Sequence, residues 1–251
     1  MIKLGLCSVT FRDKSPSEVV DICKDTGIEA IEWGGDIHLP PGSPAGKVEE
    51  IAALCADAGI RTPSYGSYFT MLDNKAEDFQ PVLETASRLG ADTIRIWPGW
   101  VKPEELSPGQ LKMIAGTART VAQAAAGKGI RVAFEFHDNA PTHGAGNTLK
   151  VLEAAGHSNL FSYYQVLDPA DIEGSVSELR LIYPHLAYIH CHYYIGEDCR
   201  PLSEGKELWA AICSALKELG YSGVVCMEFV RGNSPAQLAE DVAVLRELLG
   251  K

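Results

Sequence analysis

The chain has no run of about 18 consecutive apolar residues, so nothing in it reads as a membrane-spanning helix. Its start, Met1 to Phe11, carries one lysine and a short apolar stretch broken by Gly5 and Ser8, too little for the core of a signal peptide. The seven cysteines, an odd number, contain no Cys-x-x-Cys pair, which argues against a disulfide framework and for reduced thiols in a cytoplasmic protein. Cations are few: 22 Lys and Arg face 33 Asp and Glu, a formal charge of −11, and they are scattered. Nucleic acids and anionic membranes both reward basic stripes, so neither is an expected partner. No Gly-x-Gly-x-x-Gly follows the first strand-like segment, which weakens a dinucleotide-binding open sheet. Linkers and low-complexity stretches are missing too, so residues 1–251 are expected to form one domain.

What is present is a repeated punctuation. A helix-like stretch, a glycine and a short apolar run recur at residues 25–33, 57–65, 88–97, 127–136 and 218–229. The glycines Gly27, Gly59, Gly90, Gly129 and Gly220 suit the left-handed residue just past a helix end, where a Cβ would be penalised. Helical spacing precedes them, as in Val19, Val20, Ile22 and Cys23 after the cap-like Ser15-Pro16. The strand candidates are Leu4–Ser8, Ala30–Trp33, Thr62–Tyr65, Thr93–Trp97, Arg131–Phe136, Tyr163–Leu167, Leu186–His190 and Val224–Glu228. Eight strands alternating with eight helices in about 250 residues predict an α/β fold, a (β/α)₈ TIM barrel.

In such a barrel, function sits at the carboxyl ends of the strands. The fifth strand ends in Glu135, with His137 beyond it; the sixth runs to Asp168, the seventh to His190 with His192 beyond, and the eighth to Glu228. Side chains alternate in a strand, so Glu135 shares a face with His137, and His190 with His192. Carboxylates are seldom buried unpaired, and Glu135 and Glu228 follow apolar runs, so a site explains them better than a core does. Asp168 precedes Pro169 and could also open a turn. Two Glu, one Asp and one or two His form a mixed oxygen and nitrogen donor set suited to one divalent ion, Mn²⁺, Mg²⁺, Co²⁺ or Zn²⁺.

These residues bring the chain to a known family. Its start Leu-Gly-Leu-Cys-Ser, the phrase Gly-Ile-Glu-Ala-Ile-Glu32-Trp33 and the series Glu135, Asp168, His190, Glu228 resemble the xylose isomerase-like TIM barrels, which include sugar isomerases, ketose 3-epimerases, inosose dehydratases, hydroxypyruvate isomerase relatives and abasic-site endonucleases. The resemblance covers the whole chain. It implies one divalent metal on Glu135, Asp168, His190 and Glu228, with Glu135 and Glu228 also the catalytic acid/base pair. Departures exist: Asp171 stands where many members have a histidine after the sixth-strand Asp, and Tyr193 where many have Asp after the seventh-strand His. The histidines that the three-zinc endonucleases carry on strands three and four are missing, which, with the acidic charge, speaks against DNA repair.

The expected activity is therefore metal-dependent isomerisation or epimerisation of a sugar, by proton transfer through a metal-stabilised enediolate. A dehydratase acting on a keto-inositol and a barrel that binds sugar without turnover are the competing readings. Flat walls for the sugar would come from Trp33, Tyr65, Phe69, Trp97 and Trp100, each of which could instead be packing, and hydrogen bonds from His137, His192, Arg200, Arg231 and the loop residue His38. Arg200 reads more readily as a solvated surface cation. The expected partner is a small sugar-like molecule, with a homo-oligomer possible.

Overall fold

The computed structural model describes all 251 residues. Its centre is a closed parallel barrel of β1 (Lys3–Cys7), β2 (Ala30–Gly34), β3 (Arg61–Thr70), β4 (Thr93–Trp97), β5 (Arg131–Glu135), β6 (Leu160–Tyr164), β7 (Leu186–Cys191) and β10 (Val224–Met227). The barrel closes where β1 pairs on one side with β2 and on the other with β10. A two-stranded hairpin, β8 (Tyr194–Ile195) and β9 (Asp198–Cys199), stands in the loop after β7. Eight helices surround it: α1 (Pro16–Thr26), α2 (Ala45–Asp57), α3 (Gln80–Leu89), α4 (Pro108–Ala126), α5 (Ala145–Ala155), α6 (Ile172–Ile182), α7 (Lys206–Glu218) and α8 (Pro235–Leu249). No helix is long and apolar enough to cross a membrane.

Local chemistry sets these boundaries. Ser15 caps α1 in a reciprocal capping box with Glu18, Pro16 occupies the first turn, and Gly27 ends the helix at φ 66°. All five glycines at the predicted helix-to-strand junctions have positive φ. Each barrel strand then splits its side chains between two environments. Leu4, Leu6, Ile31, Ile94, Val132, Ile189 and Val225 point outward into the layer shared with the helices. Cys7, Ala30, Ala133, Tyr163, Tyr188 and Cys226 point inward and fill the barrel floor.

Two strands depart from expectation: the third, expected over 62–65, runs on to Thr70, and the sixth is displaced. The sequence pattern places the sixth at 163–167, but it runs from Leu160 to Tyr164. The preceding helix ends early, on the left-handed Gly156, so the sheet starts at Leu160 and Gln165 onward has already left it. Asp168 therefore sits four residues beyond its strand, whereas Glu135 closes β5 and Glu228 immediately follows β10.

Candidate active site

Five inward-facing charged or titratable side chains meet at the carboxyl end of the barrel, each from a different strand. They are Glu32 of β2, Arg95 of β4, Glu135 of β5, His190 of β7 and Glu228 after β10, all buried. His190 is the hub. Its Nδ1 lies 2.8 Å from Glu135 Oε1 and 3.1 Å from Glu228 Oε2, while its Nε2 lies 3.3 Å from Glu32 Oε1. Arg95 Nη1 is 3.3 Å from Glu135 Oε2, 3.9 Å from Glu228 Oε1 and 4.0 Å from Glu32 Oε1. The guanidinium carbon lies 4.3 Å from the centroid of the Trp97 ring, and the Trp97 indole donates to Glu135 Oε2 at 2.6 Å.

Charge explains why these groups tolerate burial together. Burial alone would neutralise His190, but the carboxylates of Glu228 and Glu32 and the hydrogen bond to Glu135 hold its pKa well above the ordinary histidine value. Burial opposes ionisation of Glu228 as well; the charge and hydrogen bond of His190, with His192 behind it, keep its carboxyl well below the usual range. Three carboxylates against Arg95 and a protonated His190 leave one net negative charge, and two when His190 is neutral. Below them the network continues to Cys7, whose thiol lies 3.5 Å from Glu32 Oε1.

Glu135, Glu228 and Arg95 form the floor of a cavity of about 880 Å³. Tyr68, Trp97, Trp100 and His137 line one wall, and Gln165, Asp168, His192, Tyr194 and Glu197 line others. His192 Nδ1 is buried without a hydrogen-bond partner, 3.7 Å from Glu228 Oε2.

Residues 20–248 match the family model described as xylose isomerase-like TIM barrel. The chain belongs to that family. No curated protein matches the chain. Among solved structures, the L-ribulose 3-epimerase fold is similar at TM-score 0.80 and 16% identity, covering 100% of this chain and 95% of that one. The probable 3-DHS dehydratase AsbF of Bacillus anthracis aligns at TM-score 0.79 and 18% identity, over 97% and 98% of the two chains. The 3-keto-D-glucoside 4-epimerase YcjR of E. coli aligns at TM-score 0.76 and 19% identity, over 98% and 100%. At such identities the likeness is one of fold.

Within this xylose isomerase-like barrel, Glu135, His190 and Glu228 each offer a ligand atom within 4.8 Å of the others. Asp168 stands outside that cluster: it lines the cavity, and its Oδ1 accepts from the Ala170 amide, the turn-opening role open to an Asp before proline. His137, His192 and Trp97 line the cavity, as expected. Six of the residues expected there do not line it: Trp33, Tyr65, Phe69, His38, Arg200 and Arg231, of which Tyr65 and Phe69 are buried in the core. Trp33 is buried in the layer between barrel and helices. His38 bonds Ser8 Oγ at 2.9 Å and the Lys14 carbonyl at 3.2 Å, and burial lowers its pKa. Arg200 is turned to Asp198 and Glu204, both at the surface. The residues overlooked are Arg95 and Glu32. Arg95, alone between Ile94 and Ile96, carries the signal that singled out Glu135, a charge inside an apolar strand.

Gly66 in β3 makes room for this set: a Cβ there would lie 2.9 Å from Glu32 Oε1 and 3.6 Å from Arg95 Cζ. Gly66→Ala is expected to destabilise the fold by about 1–3 kcal/mol through overpacking, measured by urea unfolding, with the His190 imidazole resonance displaced. An unchanged midpoint and resonance would show that Glu32 yields freely.

Proposed function

We propose that this protein is a divalent-metal-dependent isomerase or epimerase of a sugar, working by proton transfer at a carbon next to a carbonyl. The observation that carries the reading is the pair Glu135 and Glu228, on separate strands, sharing one imidazole nitrogen at the floor of a cavity.

The donor set fits a divalent cation. The cluster retains net negative charge after its own cations are counted, and the unpartnered, buried Nδ1 of His192 faces the same cavity as Glu135, Asp168 and Glu228. Glu135, His190 and Glu228 would hold the ion, with Asp168 and His192 available from the walls. A bound divalent ion supplies Lewis-acid polarisation of the carbonyl and offsets charge that develops on its oxygen.

The protein's own groups do the rest. Glu228, kept as the carboxylate at the cavity floor beside Arg95, accepts the proton from the substrate carbon. Glu135, fixed by the Trp97 indole and Arg95, stands on another strand to return a proton at a different position or face. Arg95 lowers the cost of keeping both carboxylates charged in a buried place.

The test is a panel of free ketoses and keto-inositols incubated in deuterated buffer with Mn²⁺ or with a chelator and followed by ¹H NMR. Carbon-bound deuterium together with a new isomer or epimer, both dependent on the metal, is the expected result. Loss of water to an unsaturated ketone would reassign the chemistry to a dehydratase. No exchange on any member of the panel would sink the proposal.

A further inference from the structure

The cavity is larger and more aromatic at its rim than one sugar ring needs. Pockets of about 300–1,000 Å³ enclose drug-sized ligands, and this one, at about 880 Å³, is near the top of that range. Beyond the floor, four rings stand edge to face or tilted against one another. Trp97 lies 5.0 Å from both Tyr68 and Trp100, and Trp100 lies 5.0 Å from His137. Trp97 is buried and committed to Glu135, but Trp100 keeps 49% and Tyr68 39% of their surface exposed.

Trp100 is held at the rim by its loop. Gly99, immediately before it, has φ 134°, and a Cβ there would lie 2.8 Å from Leu72 Cδ1 and 3.0 Å from Leu72 Cβ. Only glycine lets the loop after β4 lie this close to the loop after β3. With Tyr68 and His137, Trp100 forms a contiguous aromatic rim beside the cavity, the kind of surface that marks a ligand-binding groove.

Charge narrows the ligand further. The walls carry Asp138, Asp168 and Glu197, no lysine lines them, and the single guanidinium, Arg95, is committed to three carboxylates below. A phosphate or carboxylate on the ligand would meet repulsion, whereas hydroxyls would find acceptors. We propose that the cavity takes a ketose bearing a second, uncharged glycosyl unit, with the ketose over Glu135 and Glu228 and the second ring against Trp100. This rests on the sugar isomerase reading above and adds the size and charge of the substrate.

The test measures binding of D-fructose, its glycosylated forms turanose, lactulose and isomaltulose, and fructose 6-phosphate by calorimetry on the Mn²⁺-loaded protein, wild type and Trp100→Ala. At least one glycosyl-fructose is expected to bind roughly tenfold more tightly than fructose, the worth of about one aromatic contact, and the phosphate more weakly than fructose. In Trp100→Ala the ratio of glycosyl-fructose to fructose affinity should fall to near one, with thermal unfolding recording that the variant is folded. If free ketoses exchange deuterium but no glycosyl unit improves binding, or if the ratio survives in Trp100→Ala, the second-ring site is wrong and the isomerase reading stands. If no ketose of either kind binds or exchanges, both fall together.

Discussion

Glu228→Gln is expected to slow proton exchange on a ketose substrate by about a thousandfold, within the 10²–10⁴ that a positioned general base contributes. The substitution preserves volume and removes the basic oxygen. It also removes one of the carboxylates that hold His190 protonated, so the His190 pKa should fall, which ¹H–¹⁵N NMR of the imidazole would read directly. The two effects separate chemistry from architecture. A fall in the histidine pKa with exchange still within tenfold of wild type would leave Glu228 a structural anion and move the base to Glu135.

Arg95→Met should carry the largest cost in stability. The guanidinium is almost completely buried and lies within 4.0 Å of Glu32, Glu135 and Glu228, so its removal leaves buried carboxylates with less compensation. Stranding one partner of a buried ion pair costs about 3–5 kcal/mol. At about 2–4 °C per kcal/mol for a chain of this size, the melting temperature should drop by roughly 6–20 °C. The sign of the pH dependence follows from the same cause. Without Arg95 the folded-state pKa of Glu32, which the guanidinium helps to hold down, rises, so the folded protein is penalised increasingly as pH climbs past about 4.3, where unfolded glutamates ionise. Melting curves at pH 5 and pH 8 should show the smaller deficit at pH 5, and Mn²⁺ should restore part of it at pH 8. A deficit equal at both values would assign Arg95 to packing against Trp97 rather than to charge.

Much of this was legible in the sequence, for identifiable reasons. Glycines at helix ends and apolar runs after them obey local rules, so the alternation and the barrel could be read directly. Glu135, His190 and Glu228 stood out because each interrupts or closes an apolar strand, and they do meet. The sixth strand slid by three residues because its start depends on where α5 stops, and that displacement keeps Asp168 on the wall instead of in the cluster. His38 and Arg200 lie in loops, where sequence position does not say which way a side chain turns; one is turned toward Ser8, the other to surface acids. Arg95 went unremarked because a long side chain in a strand usually carries its charge out to water. Here it is buried among three carboxylates.

The division of labour between strands and loops has an evolutionary consequence. The ionisable machinery, Glu32, Arg95, Glu135, His190 and Glu228, is anchored in or directly beside the hydrogen-bonded barrel, while Trp100, Asp138, Asp168 and Glu197 belong to the connections above it. Insertions and substitutions in those connections can reshape what enters without shifting a carboxylate below. Descendants of such a protein can diverge in what they admit while inheriting the same buried charged core, and selection for a new ligand should register first in the loop after β4.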